Sequence, residues 1–277
     1  MGQHYKFPQA PKNLVVRLAG RLPFPAAAPL TPLTLRSKAL ELNLPAAPPT
    51  TAASLARISG TLAAPAWRAG DSYPGLRDEL EAYLDDKAPD DMGEEIAKVR
   101  AEYAVYSRLA GRIGGIETMD RDGFVGLLRD THRRLGTGIS SLRERPVGIT
   151  PDAAGNRVVF PHHSQCPGLL GDLHDFLVRH LALYPALCAT VTYAALIHCH
   201  AFNDGNGRTA RTLYNLVLSA GTGTRHFVPI HLIAAHHRAG FLIKLRRAIY
   251  GGDWIGLQAF FTDTGRLSIR LQHEQDT

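Results

Sequence analysis

Apolar residues recur at helical spacing over most of the chain beyond its first 75 residues. In EEIAKVRAEYAVYSRLAGRI, residues Ile96, Val99, Tyr103 and Tyr106 form one stripe, the pattern of an amphipathic helix. RDGFVGLLRDTHRRL (121–135) repeats it through Phe124, Leu127, Leu128 and Leu135. LLGDLHDFLVRHLAL and ATVTYAALIHCHAF continue it, split by Pro185. RTARTLYNLVLSAG predicts a further helix, with Gly221 as its stop. PIHLIAAHHRAGFLIKLRRAIY and DWIGLQAFFTDTGRL predict the closing helices. Upstream, LRDELEAYLDD (76–86) reads as a helix, and TAASLARISGTLA (51–63) has helical spacing of Leu55, Ile58 and Leu62 weakened by Gly60.

The period changes once. Val147-Gly148-Ile149 and Val158-Val159-Phe160 flank PDAAGN, whose Pro, Asp, Gly and Asn are turn residues, so a β-hairpin is predicted. The fold class expected is therefore mainly α, a helical bundle carrying one small β-hairpin.

Residues 1–50 hold nine of the 18 prolines, in runs such as LPFPAAAPLTP. That composition suits an extended arm. The predicted organisation is a Pro/Ala-rich arm over 1–65, a helical extension over 66–94 and a globular domain over 95–277.

Hydrophobic content of 45% with 20% charged residues describes a globular chain. No apolar run reaches the roughly 18 residues of a membrane span. The start, MGQHYKFPQAPKNLVVRLAG, lacks the apolar core of a cleaved signal, so a cytoplasmic protein is expected, with export by another route left open. Cys166, Cys188 and Cys199 have no metal spacing and read as reduced thiols. The basic residues behind the formal net charge of +6 are spread along the chain, with Arg143, Arg145 and Arg246, Arg247 as the pairs that stand out. This argues against nucleic-acid binding, which wants basic residues clustered with aromatics.

The densest chemistry lies in His200-Ala201-Phe202-Asn203-Asp204-Gly205-Asn206-Gly207-Arg208, followed by Arg211. A neutral His200 can accept a proton from a hydroxyl. Asp204 is a hard oxygen ligand suited to Mg²⁺, or alternatively a helix N-cap. Gly205, Asn206 and Gly207 offer backbone N–H groups to phosphate without obstruction. Arg208 and Arg211 lie one helical turn apart, and guanidiniums match phosphate geometry. Phe202 reads as the apolar anchor of the loop. His198, two residues before His200, points to another side of a helix and lacks ligand-spaced acidic partners, which leaves zinc chemistry the weaker alternative.

The string HAFNDGNGR, then TAR, resembles the Fic-family signature H-x-F-x-[DE]-G-N-[GK]-R with a further Arg three residues on. All seven defining positions match, and Ala201 stands where Pro is most common. The likeness extends in outline from Glu95 to Leu267. It implies a Fic-type helical bundle with a β-hairpin flap, and transfer of AMP from ATP, with Mg²⁺, to a Tyr, Thr or Ser hydroxyl of a target protein. It implies His200 as base, Asp204 as metal ligand, and Gly205, Asn206, Gly207, Arg208 and Arg211 as the nucleotide site. It implies that Val147, Gly148, Ile149, Val158 and Val159 form the flap on which the target docks as an added strand. Transfer of UMP, phosphocholine or phosphate, and nucleotide binding without turnover, are the alternatives. LARISGT (55–61) is similar to the family's inhibitory helix, but Ser59 replaces the glutamate that would pair with Arg211. The expectation is that this brake is missing, with a separate antitoxin-type inhibitor as the other means of control. The target and the oligomeric state, a homo-oligomer included, are left open.

Overall fold

The structure is a computed structural model and describes residues 15–17, 92–111, 115–136, 140–149, 157–223, 225, 227–231, 234 and 238–262. The helices expected over 51–63 and 76–86, with Ser59, lie outside the described residues, as does the hairpin turn.

The described chain is mainly helical, as the periodicity predicts. Its helices are α1 (Met92–Ala110), α2 (Arg121–Arg134), α3 (Cys166–His180), α4 (Pro185–Cys199), α5 (Asn206–Thr222), α6 (Arg238–Gly251) and α7 (255–262). Single turns of 3₁₀ helix at Ile116–Thr118 and His163–Gln165 lead into α2 and α3.

Local chemistry sets the helix ends. Asp120 caps α2 by accepting from the Gly123 N–H at 2.7 Å. Pro167 and Pro185 stand in the first turns of α3 and α4, where a missing N–H costs nothing. α5 runs past the predicted stop at Gly221 and ends at Gly223, which has φ 69°. Gly221 has a packing role instead. A Cβ there would lie 2.6 Å from Leu181 and 2.8 Å from Pro185, so only glycine lets α5 approach the start of α4.

α4 is apolar on nearly all sides, and nearly all of it is buried, as a central helix requires. It packs chiefly on α5; α3 and α6 cover α4, while α1 and α2 cover α5. Tyr193 of α4, Tyr214 of α5, Phe241 of α6 and Phe260 and Phe261 of α7 share one aromatic cluster.

The hairpin pairing is present. Ile149 N–H donates to Val158 O at 2.9 Å, and Phe160 N–H donates to Val147 O at 3.2 Å. Gly148 faces Val159 in an antiparallel bridge. On its other side strand β2 (Arg157–Val159) pairs in parallel with β1 (Val15–Arg17), in the register Val15–Arg157, Val16–Val158 and Arg17–Val159. Within the Pro/Ala-rich arm, these three residues thus join the hairpin. No helix among the described residues is long and apolar enough to cross a membrane, and the three cysteines are buried free thiols.

Candidate functional site

The site is the loop between the end of α4 and the start of α5, the two central helices. It is anchored from below by Phe202, which is 1% exposed and stacks on His132 of α2 at 3.8 Å. The anchor role predicted for Phe202 is thus met. Asn206 closes the loop on itself. Its side-chain amide donates to Phe202 O at 2.8 Å, and its Oδ1 accepts from Phe202 N–H at 2.9 Å. The Asn206 side chain thus serves to close the loop, and its backbone N–H stands at the start of α5.

His200 closes α4 in the left-handed conformation, φ 48° and ψ 54°, the only non-glycine residue of positive φ among the described residues. Such a backbone persists only where its surroundings impose it, and it often marks a functional position. The imidazole is stacked on Phe160, 3.8 Å between centroids and 10° between planes. Its Nδ1 faces Ile197 O at 3.4 Å. A carbonyl can only accept, so this contact favours the Nδ1-protonated tautomer and leaves the Nε2 lone pair available. Burial pushes the imidazole pKa down to about 4; Arg143 adds to the fall, while the Ile197 carbonyl and Asp204 oppose it. His200 is therefore neutral at pH 7.

At the other end of the loop Gly205, φ 74°, is the N-cap residue of α5 and brings no side chain to cap the helix. The first N–H groups of α5 have no intrahelical acceptor and, with the helix dipole, form an anion site. Gly207 keeps this approach open; a Cβ there would meet Arg211 Nη1 at 3.3 Å. Asp204 is not the N-cap. Its side chain is 83% exposed and lies 3.7 Å from the half-exposed Arg208 guanidinium. His132 Nε2 bonds to the Asp204 backbone carbonyl at 2.9 Å, fixing that corner of the loop.

Arg211 differs from Arg208. It donates through Nε and Nη2 to Glu102 of α1, at 2.9 and 2.6 Å, in a pair that is almost wholly buried. Tyr193 lies against the same pair, and burial pushes its phenol up to about 12. The sequence expectation gave Arg211 no carboxylate partner once Ser59 replaced the inhibitory glutamate; Glu102 supplies one from within the bundle.

Three residues that the sequence reading did not single out for the site hold it together: Glu102, His132 and Arg143. In the sequence Arg143 stands out as one of a basic pair and lies in the stretch 142–149 that resembles the flap. It is buried and bonded to carbonyls at both ends of the hairpin and at the end of α4. Among the described residues no three His, Cys, Asp or Glu side chains come together as a metal cluster. His198 is buried inside α4. The donor set at Asp204 does fit Mg²⁺, which needs only one or two carboxylates when phosphates supply the other oxygens.

A family model described as Fic/DOC family matches residues 125–218, from α2 through α5 and including the whole loop. The chain carries a Fic domain. Two solved structures share the fold. One is a Fic family protein from Desulfovibrio desulfuricans G20, with TM-score 0.58 and 18% identity, covering 92% of this chain and 77% of the other. Fic-1 from C. elegans follows, with TM-score 0.52 and 16% identity, covering 90% of this chain and 74% of the other. At such identities the likeness concerns the fold, and the Fic domain's chemistry must be argued from its own loop.

Proposed function

We propose that this Fic-domain protein is an adenylyltransferase that moves AMP from ATP onto a Tyr, Thr or Ser hydroxyl of a target protein. The observation that carries the reading is His200. It is a neutral imidazole with its Nε2 lone pair available, held in a left-handed conformation one short loop away from the uncapped N-terminus of α5. A base and an anion cradle on one rigid loop suit phosphoryl transfer, which depends on positioning and charge neutralisation.

In this mechanism His200 Nε2 takes the proton of the target hydroxyl. The oxygen attacks the α-phosphorus, the bond from that phosphorus to the bridging oxygen breaks, and pyrophosphate leaves. The proton on His200 then passes to solvent. The N–H groups of Asn206, Gly207 and Arg208 face the phosphate oxygens, and the Arg208 guanidinium neutralises them. Bound phosphate would also raise the basicity of the buried imidazole, since a nearby anion favours its charged form. Asp204 would hold Mg²⁺, which supplies charge neutralisation on the phosphates. Arg211 holds Glu102 through Nε and Nη2, and its Nη1, which lies beside Gly207, is the donor it would turn to an outer phosphate. Ile149 is 51% exposed on the flap, which suits a strand-like segment of the target pairing there.

The test is label transfer from α-labelled and γ-labelled ATP with Mg²⁺, to proteins of a lysate and to the chain itself, for wild type and His200→Ala. Transfer of the α-label alone, lost in the variant, is the expected result. Transfer of the γ-label alone would make it a kinase, and nucleotide binding without any transfer would replace catalysis with an interaction role.

A further inference from the structure

We infer that Arg143 is the positioning residue that couples the flap to the catalytic base. Its guanidinium is buried, 3% exposed, and among the described residues no carboxylate pairs with it. Four side-chain hydrogen bonds instead end on backbone carbonyls of three separate segments. Nη1 donates to Arg145 O at 3.0 Å and Nη2 to Pro161 O at 2.5 Å, which are the two feet of the hairpin. Nε donates to His200 O at 2.7 Å and Nη2 also to Cys199 O at 3.3 Å, the last carbonyls of α4. The Arg143 backbone N–H donates to Ala201 O at 2.9 Å.

This arrangement meets two needs with one side chain. Carbonyls at a helix C-terminus lack intrahelical donors, and a cation is favoured there. A left-handed residue without glycine's freedom needs its peptide groups held on both sides. Arg143 takes the carbonyls before, at and after that bend. The planar fork is suited to this because its donors point in fixed, divergent directions, whereas an ammonium presents its donors from one point. The same fork ties both strands of the hairpin, directly below Val147–Ile149 and Val158. Phe160, one residue before Pro161, is the ring that lies on His200. A shift of the flap therefore reaches the imidazole by two routes, through the ring and through the guanidinium. The charged groups acting on His200 are Arg143 and Asp204.

The inference rests on His200 being the base, and its test separates the two claims. Full-length Arg143→Lys keeps a cation in the slot but cannot span both the hairpin and the end of α4. Arg143→Gln removes the cation as well. Each would be compared with wild type for label transfer, ATP affinity and the ¹⁵N signals of the His200 imidazole, which report its tautomer. Expected in Arg143→Lys is a fall in kcat of about 10²-fold, the scale of a misplacement near 1 Å, with ATP affinity and KM for ATP held within about twofold. The His200 signals should change from a single Nδ1-protonated tautomer to a mixture, and Arg143→Gln should show both effects more strongly. Wild-type kcat and wild-type imidazole signals in folded Arg143→Lys would overturn the inference, whether or not Arg143→Gln folds. If the wild type transfers no nucleotide, the proposed activity fails, and the imidazole signals alone decide the role of Arg143.

Discussion

The ring of Phe160 lies face to face with the imidazole of His200, 3.8 Å apart and within 10° of parallel. One residue belongs to the hairpin and the other to the loop, so the environment of the base is set from outside the signature. Replacing Phe160 by Leu uncovers part of the imidazole to water. Desolvation is the largest cause of its low pKa, so the pKa should rise. The acidic limb of the rate–pH profile should move to higher pH in Phe160→Leu, while the affinity for ATP at neutral pH stays constant. An unmoved limb would mean that the stack does not govern the base.

The same group links stability to pH. Its folded-state pKa, about 4, lies below the ordinary imidazole value of 6.5. Between those values the unfolded chain binds a proton that the native chain does not. The contribution of neutral His200 is thus fully present above 6.5 and is lost as pH falls towards 4. Urea midpoints of wild type and His200→Ala should therefore converge on acidification, by at most about 1.4 kcal/mol per pH unit. Parallel curves over that window would place the imidazole in water.

Glu102→Gln tests the buried pair with Arg211. Loss of one partner leaves a guanidinium in the core, at a cost of about 3 kcal/mol. The apo protein should melt at a lower temperature. Nucleotide binding should tighten, because the Glu102 carboxylate no longer offsets the Arg211 charge beside the phosphate site. Calorimetric titration with ATP would show the change, and an unaltered affinity would make Arg211 a purely structural link between α1 and α5.

Gly148→Ala tests the flap. The added Cβ would lie 2.8 Å from Val158 O, a backbone atom that cannot yield without parting the strands. ATP affinity should be retained while transfer to the target falls at least about tenfold, since main-chain pairing is what the docking strand contributes. Equal loss of ATP affinity would instead show that the hairpin supports the nucleotide site itself.

Asp204→Ala should abolish the dependence of turnover on Mg²⁺ together with turnover, without loss of the fold, because this carboxylate is 83% exposed. Unchanged turnover with Mg²⁺ would remove Asp204 as the metal ligand.

Much of this arrangement can be seen along the chain. The helices announce themselves because their buried faces are apolar at helical spacing, and the hairpin because its strands change the period to two. The loop residues are legible because their chemistry is local: base, carboxylate, glycines and guanidinium adjoin. The supports are not legible for the same reason. Glu102 sits between Val99 and Tyr106 on the apolar stripe of α1, and a stripe read by hydrophobicity alone skips it. That intrusion of a carboxylate among core residues was the available signal. His132 precedes Arg133 and Arg134 and looks like part of a basic helix end, yet it is buried. Arg143 stands among polar residues, and its acceptors come from Arg145, Pro161, Cys199 and His200, most of them distant in sequence. Gly221 and Gly223 look alike as helix stops, and only the contact with Leu181 and Pro185 tells them apart.

The strand β1 gives the hairpin a handedness of access. Because Val15–Arg17 lies along β2, a guest strand has one side open to it among the described residues, the edge of Val147–Ile149. A recombinant fragment begun at α1 would uncover a second edge. It could then accept guests in two registers, or pair with another copy of itself, and specificity measured on such a fragment would belong to a different surface from that of the whole chain.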